Sequence, residues 1–318
     1  MKTWRFAIMG AGNIAHKFCD AVERLENCEV VAIASKSMEK AEQFAKQNNL
    51  LHAYDSYEAM LQKECPDGVY IAVTPNDHFR LAMLCLDYKV PVLCEKAMFM
   101  GSKEAKTVFR RSREEGVFVM EGLWSRFLPT VVTGKRWVQE GKIGKPVFLE
   151  VTIGFHAPED PQNRYYCRTL GGGAAHDLTV YAYEIGKFFL DGQEKNRSVQ
   201  AVFGETGVDL SNHIAMTVGD VTVSLTTTMA ADVDERLVLY GDQGRIVIPH
   251  PHYGNDVFLY TKGEEPALTF HDDTENGFVY EIQEVMECIS QGKIESSTVP
   301  HSLTMACSEV FDEIEAAR

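Results

Sequence analysis

No apolar run in this chain reaches the length needed to cross a membrane, so an integral helical membrane protein is excluded. A basic surplus is also missing: 31 Lys and Arg stand against 46 Asp and Glu, a formal net charge of −15. That sign opposes nucleic-acid binding and favours solubility, and it carries no information about substrate. The eight cysteines (Cys19, Cys28, Cys65, Cys85, Cys94, Cys167, Cys288 and Cys307) form no C-x-x-C and no zinc spacing. They read as reduced thiols of a cytoplasmic protein, and no metal site is expected. Low-complexity tracts and internal repeats are absent, and with Met1 running directly into an apolar strand no signal peptide is expected. What is present is ordinary globular composition, 45% apolar and 24% charged, over 318 residues. That length exceeds the usual single domain, so two are expected.

The most informative segment is the first. The run Trp4-Arg5-Phe6-Ala7-Ile8-Met9 leads into Gly10-Ala11-Gly12-Asn13-Ile14-Ala15, and Ile14 to Leu25 has helical apolar spacing. This is a strand entering a helix through G-x-G-x-x-A, the dinucleotide-binding turn. Gly10 permits the tight turn, Gly12 lets a pyrophosphate approach the backbone, and Ala15 lets helix and strand pack closely. The helix start at Asn13 and Ile14 offers free N–H groups and a positive dipole end.

The first 120 or so residues alternate strand and helix. Strands are expected at Glu29–Ser35, Val69–Thr74, Val90–Cys94 and Val117–Glu121, with helices at Ser37–Gln47, Ser56–Lys63, Asn76–Tyr88 and Ser102–Glu115. Such alternation specifies a doubly wound parallel α/β sheet of Rossmann type. Ligands bind these sheets at the C-terminal strand ends, where Thr74-Pro75-Asn76 and Glu95-Lys96 fall with the glycine turn. After about Leu123 the pattern changes. Helices at Thr130–Glu140 and Ala174–Leu190 flank a strand at Val147–Phe155, and six further strands follow between Val199 and Thr261. Gly219-Asp220 is a two-residue hairpin signal, and two helices, Phe278–Gln291 and Ser302–Ala317, close the chain. The expected division is a dinucleotide-binding domain over 1–122 and an α+β domain with a large, mostly antiparallel open sheet over 123–318.

Cofactor choice is read at the end of the second strand, Ala34-Ser35-Lys36-Ser37. NAD-selective sites place a carboxylate there for the ribose 2′-hydroxyl; this chain has none, and Ser35 and Lys36 can meet a 2′-phosphate. NADP is therefore expected over NAD. Three further segments carry chemistry: Cys94-Glu95-Lys96 on the cofactor edge, the junction Glu121 to Pro129 with Trp124 and Arg126, and Gly171-Gly172-Gly173 opening a helix with Asp177 and Tyr181 at i and i+4. Taken singly, each has a structural explanation: a surface lysine, a linker with an aromatic anchor, and a packed amphipathic helix. His250-Pro251-His252 lacks a third nearby ligand and reads as a loop rather than a metal site.

The order G-x-G-x-x-A, T-P-N, E-K, R-F-x-P, G-G-G-A-x-x-D-x-x-x-Y resembles the glucose–fructose oxidoreductase / inositol dehydrogenase (Gfo/Idh/MocA) family over nearly the whole chain. The wording of Val92–Lys96, Glu121–Phe127 and Glu205–Asp209 resembles its dimeric dihydrodiol dehydrogenase and NADP-dependent xylose dehydrogenase branch. The resemblance implies a Rossmann domain plus an open sheet, and reversible hydride transfer between a nicotinamide and a sugar or diol carbon. It implies Tyr181 as the general acid/base, Lys96 as the charge that lowers its pKa, and Asp177 as an orienting group or a ligand to a substrate hydroxyl. Glu95, Trp124 and Arg126 join the expected cofactor contacts, and Trp124, His176 and Asp177 the expected substrate contacts. His176 is open between a hydroxyl ligand and a packed imidazole.

Two positions depart from the family. Ala97 stands where proline usually follows the lysine, and Phe79 stands where a histidine usually follows T-P-N, with His78 one place earlier. Competing readings are an NAD-dependent polyol or aminosugar dehydrogenase and a non-catalytic nucleotide sensor. The strand Val221–Thr228 sets Val221, Val223 and Leu225 on one face and Thr222, Ser224, Thr226 and Thr228 on the other. That charge-free face, with the resemblance, points to a homodimer or a homotetramer built through the second domain's sheet.

Overall fold

The computed structural model describes residues 2–158, 160 and 162–318. Two compact units emerge, Met1–Trp124 with Asn276–Met305, and Ser125–Glu275 with Ala306–Arg318.

In the first unit the chain runs β1 (Trp4–Met9), α1 (Asn13–Glu23), β2 (Cys28–Ala34), α2 (Met38–Gln47), β3 (His52–Tyr54), α3 (Tyr57–Glu64), β4 (Gly68–Ile71), α4 (Pro75–Asp87), β5 (Val92–Glu95), α5 (Ser102–Glu115) and β6 (Val119–Gly122). The six strands are all parallel, in the order β3-β2-β1-β4-β5-β6. The order reverses between β1 and β4, the switch point at which doubly wound sheets bind ligands. Local chemistry explains the elements. Phe6 to Met9 are wholly buried, as a strand covered on both faces requires. Ser37 and Ser56 cap α2 and α3 by accepting from the N–H of Lys40 (3.3 Å) and Ala59 (3.2 Å).

The second unit holds α6 (Pro129–Gln139), β7 (Pro146–Gly154), α7 (Val180–Phe189), β8 (Glu194–Phe203), β9 (Asp209–Val218), β10 (Val221–Thr228), β11 (Arg236–Gly241), β12 (Arg245–Pro249), β13 (Asp256–Tyr260) and β14 (Leu268–His271). Its eight strands form one sheet, β14-β13-β12-β11-β7-β10-β9-β8, antiparallel except for the β7–β10 pair. Gly219, with φ +59°, makes the expected two-residue hairpin with Asp220. Leu149, Val151, Ile153, Val223 and Leu225 are buried under α7, whose Gly186 comes close enough that a Cβ would lie 3.2 Å from Leu149. The opposite face carries Thr222, Ser224, Thr226 and Thr228, as the alternation requires. It also carries a Phe148–Tyr240 stack at 5.8 Å and a loose Arg236–Glu150 pair at 3.9 Å.

The closing helices are α8 (Phe278–Ser290) and α9 (His301–Ala316). A single cut near residue 122 does not describe the chain, because Asn276–Met305 belongs to the first unit. The reason is specific pairing. Val119 N–H donates to the Ile294 carbonyl (3.0 Å), a His301 ring nitrogen lies 2.9 Å from the Val119 carbonyl, and Thr304 donates to buried Glu121 (2.8 Å).

Candidate functional site

In the first unit, the parallel strands deliver Gly10 and Gly12 after β1, Ser35 and Lys36 after β2, Thr74, Pro75 and Asn76 after β4, and Lys96 after β5, all to one edge. The two glycines have different causes. Gly10 sits at φ +112°, and a Cβ there would meet the Ala72 carbonyl at 2.5 Å, so the fold itself demands glycine. At Gly12 a Cβ would meet only the Ala72 oxygen at an ordinary 3.6 Å. Internal packing does not require that glycine, and the missing Cβ leaves room for a group approaching from outside. Gly12 caps α1 without a side-chain hydrogen bond, and the first turn holds no acidic residue. The first N–H groups of Asn13 and Ile14 thus face a position suited to an anion, so the residues present fit a dinucleotide pyrophosphate.

Lys36 is exposed, and its ammonium lies 2.5 Å from Asp77 at the start of α4. Partial burial opposes ionisation of Asp77, but the hydrogen bonds and charges of Lys36 and Arg80 hold its carboxyl below the usual range. Ser35 is nearly buried, with its hydroxyl 3.5 Å from the Ser37 N–H. Thr74 donates to the Asn76 side-chain oxygen (2.7 Å), and Pro75 opens α4, where no N–H is needed.

The backbone around Lys96 is held from both sides. The Lys96–Ala97 peptide bond is cis. His78 is fully buried, its two ring nitrogens each 3.0 Å from a carbonyl, that of Ala97 and that of Val73. Burial pushes its pKa down to about 4, against the pull of those carbonyls. A neutral imidazole carries one N–H and so donates to one of the two carbonyls. It is seated between α4 and the segment after Lys96, and His78 has no open face toward a ligand. On the other side, the Met98 N–H donates to Glu121 (2.9 Å), whose second oxygen accepts from Thr304. Beneath Lys96, Tyr70 donates to Glu95, and Glu281 of α8 lies in the same buried group. Burial pushes Glu95 up to about 7, and burial together with Glu95 drives Glu281 far above the usual carboxylate range. Trp124 packs against Phe278 at 5.4 Å between ring centroids.

In the second unit the three glycines answer to packing. Gly173 has φ +110°, and a Cβ there would collide with the Asp209 carboxylate at 2.2 Å; a Cβ on Gly172 would strike the Arg164 carbonyl at 2.5 Å. Asp209 accepts from the Ala175 N–H (2.6 Å) and the Asn212 amide (2.5 Å), and burial raises its pKa to about 6. The helix then opens as a π turn over Ala175–Thr179 before α7 begins. Asp177 lies in that turn and Tyr181 in the first turn of α7, so the four-residue interval between them spans the passage from π to α geometry. Single π turns inside helices recur at functional sites. Asp177 takes an ion pair from Arg164 at 3.4 Å, and His176 packs on Phe311 at 4.7 Å. Tyr181 is 8% exposed, with its ring 4.9 Å from that of His252. Arg126 is buried, 3.6 Å from Glu184 and over the Phe188 ring.

Residues 4–123 match the oxidoreductase family with an NAD-binding Rossmann fold, and residues 131–247 match the Gfo/Idh/MocA C-terminal domain. A trans-1,2-dihydrobenzene-1,2-diol dehydrogenase of Danio rerio is 30% identical over 97% of this chain and 95% of its own. The chain belongs to the Gfo/Idh/MocA family. A Mus musculus protein of the same name is 29% identical over 98% of this chain and 96% of its own. Two solved structures share the fold. A 3-ketoreductase from Actinomadura kijaniata, in complex with NADP and TDP-benzene, is 20% identical with a TM-score of 0.88, over 99% of this chain and 98% of its own. An aldose–aldose oxidoreductase from Caulobacter crescentus, complexed with glycerol, is 19% identical with a TM-score of 0.87, over 99% and 97%. This Gfo/Idh/MocA protein is thus an NAD(P)-dependent oxidoreductase.

The first unit gathers the sequence-expected cofactor residues of its strand ends on one edge, and the second places Asp177, His176 and Tyr181 along one π turn and helix. Sequence reasoning missed Tyr70 and Glu281, and named Glu121 only as the start of the junction segment, since buried polar residues carry no local signal. It also missed the placement of His252, although it had singled out the H-P-H segment. Among the described residues, no group of three His, Cys, Asp or Glu side chains is placed to hold a metal ion.

Proposed function

We propose that this protein moves a hydride between NADP(H) and a secondary alcohol or hemiacetal carbon of a sugar or diol. The observation that carries this reading is the open, uncharged start of α1 at Gly12, on the strand edge where Lys36, and no carboxylate, follows β2. In this reading the N–H groups of Asn13 and Ile14 bind the pyrophosphate, and Ser35 and Lys36 receive the 2′-phosphate. Thr74, Pro75, Asn76, Glu95, Lys96, Trp124 and Arg126 complete the cofactor contacts. When bound, the nicotinamide supplies the carbon that takes or gives the hydride.

The protein's own part is proton and charge control. Tyr181 takes the proton of the substrate hydroxyl during oxidation and returns it during reduction. A free phenol has a pKa of ~10, too high for an efficient base at neutral pH. Lys96 supplies the positive charge that favours the phenolate and the oxygen on which charge develops. Asp177 and His176 contact the remaining hydroxyls. The names of the curated relatives and the NADP complex of a fold neighbour support this substrate class and cofactor. The threonine-bearing sheet face supports a homodimer or homotetramer, and the unbridged cysteines support a reducing, cytoplasmic setting.

A panel of pentoses, hexoses, inositols and trans-dihydrodiols, each with NADP and with NAD, tests the reading by absorbance of the reduced cofactor. Turnover on a sugar or diol with NADP is expected. Nucleotide binding without turnover on any of them refutes it and favours a sensor.

A further inference from the structure

The H-P-H segment lies in the second unit against the ring of Tyr181. After β12 the chain turns sharply through His250, Pro251, His252 and Tyr253. Gly254 closes the turn by donating to the His250 carbonyl (2.6 Å), where a Cβ would strike the Pro249 carbonyl at 2.2 Å. Thr130 of α6 donates to the Gly254 carbonyl at 3.2 Å. The turn is anchored on Glu235, 8% exposed, one of whose carboxylate oxygens accepts from the Gly154 N–H (3.0 Å) while the other meets His250 Nδ1 (3.0 Å). The His250 N–H also donates to the Glu235 carbonyl (3.1 Å).

From that anchor a file of rings leads inward. Tyr253 stacks on His250 (5.0 Å, 23°), with its hydroxyl 2.9 Å from His250 Nδ1. Tyr253 meets His252 at a right angle (4.6 Å, 90°), and His252 lies on the face of Tyr181 (4.9 Å, 31°). Each ring lies against the next, beginning at a carboxylate that accepts from the β7 backbone.

We propose that His252 is a positioning residue for Tyr181, fixing the plane of its phenol ring and so the direction in which its hydroxyl points. The inference rests on the acid/base reading of Tyr181 for its effect on rate. The ring placement itself does not depend on that reading. The phenol oxygen of a tyrosine is displaced by rotation about χ1, while rotation of the ring about χ2 leaves the oxygen in place and turns the plane in which its O–H lies. Either change can disrupt proton transfer. A second ring against its face removes that freedom. Glu235, His250 and Tyr253 act through His252, which explains why an exposed surface turn is tied down by a buried carboxylate.

The test has two arms on the full-length protein. In the first, tyrosine rings are labelled with carbon-13, and the Tyr181 signal is identified by its absence from Tyr181→Phe. That signal is expected to shift and broaden in His252→Ala and to stay in place in His252→Phe, which keeps a ring. An unmoved signal in His252→Ala overturns the proposal, as does equal displacement in both variants. In the second, turnover is measured with NADP on the most active compound of the sugar and diol panel. His252→Ala is expected to lower kcat ~10- to 100-fold with the NADP dissociation constant unchanged. His252→Phe should recover most of that loss, and in a Tyr181→Phe background His252→Ala should add none. A further loss in that background overturns the proposal. A Tyr181→Phe enzyme with full turnover refutes the acid/base reading instead, and the spectroscopic arm still decides whether His252 holds the ring.

Discussion

The His78 imidazole stands 3.0 Å from the carbonyl oxygen of Ala97, so a fully buried side chain of α4 holds the residue that follows Lys96. Histidine at this point is a brace. Removing it leaves one carbonyl, that of Ala97 or of Val73, without its donor, at a cost of about 1–3 kcal/mol. His78→Ala is therefore expected to lower the denaturation midpoint in urea without a change in slope, and to weaken NADP binding through the displaced Lys96 segment. A stable variant with unchanged NADP affinity would mean that the brace does not set Lys96.

The buried acids give the stability a definite pH dependence. Burial raises Glu95 to about 7 and Glu281 further, so the folded protein keeps protons that the unfolded chain releases near the ordinary carboxylate pKa. Bound protons in the folded state then exceed those in the unfolded state, and the contribution to stability falls as pH rises from about 4.5 through about 7. His78 acts in the opposite sense at lower pH: with its pKa near 4, its contribution is lost as pH falls from about 6.5 to about 4. Glu281→Gln removes one of the acids. Its stability relative to wild type should increase between pH 5 and pH 8, read by urea unfolding at both. A constant difference across that range would show that Glu281 binds no more protons in the folded state than in the unfolded chain, so that its pKa is not raised by folding.

Tyr181→Phe should abolish proton transfer while sparing the nucleotide. Loss of a general acid/base lowers turnover ~100- to 10,000-fold. Fluorescence titration with NADPH should give an unchanged dissociation constant. Lys96→Met should lower turnover as well, and also weaken nucleotide binding. Retained turnover in Tyr181→Phe would turn attention to His176, which lies in the π turn beside α7.

Cofactor preference should reverse at one position. Lys36→Glu puts a carboxylate where a 2′-phosphate is expected and also sets like charges beside Asp77, 2.5 Å from the present ammonium. NADP affinity should fall much more than NAD affinity, measured by calorimetry with both nucleotides. Equal losses would assign Lys36 to the Asp77 pair alone, and tighter binding of NAD by the wild type would overturn the NADP assignment.

Association is checked at the sheet. Thr226 lies opposite His213 on β9 and Thr152 on β7, on the face away from α7. Light scattering at micromolar protein should give at least twice the mass of one chain, and Thr226→Lys should reduce it while NADP binding persists. A wild-type monomer would remove the sheet face as an interface.

The sequence by itself determined whatever depends on neighbours along the chain. The G-x-G-x-x-A turn, the helix starts at Ser37 and Ser56, the alternating faces of β10 and the Gly219-Asp220 hairpin are all local choices of dihedral or period, and each stands where the pattern puts it. The parallel order of the first sheet follows from the strand–helix alternation. Tertiary structure alone decided the rest. β3 and β14 are three and four residues long, too short to show a period, and exist because a neighbouring strand pairs with them. The π turn over Ala175–Thr179 opens where Asp209, more than thirty residues away, accepts from the Ala175 N–H. Asn276–Met305 joins the first unit through His301 and Thr304, which reach back about 180 residues to Val119 and Glu121. The burial of Glu95 beside Glu281, and the seating of His252 on Tyr181, belong to the same class. Periodicity tells which face of an element is buried, but only packing tells which residue it meets there.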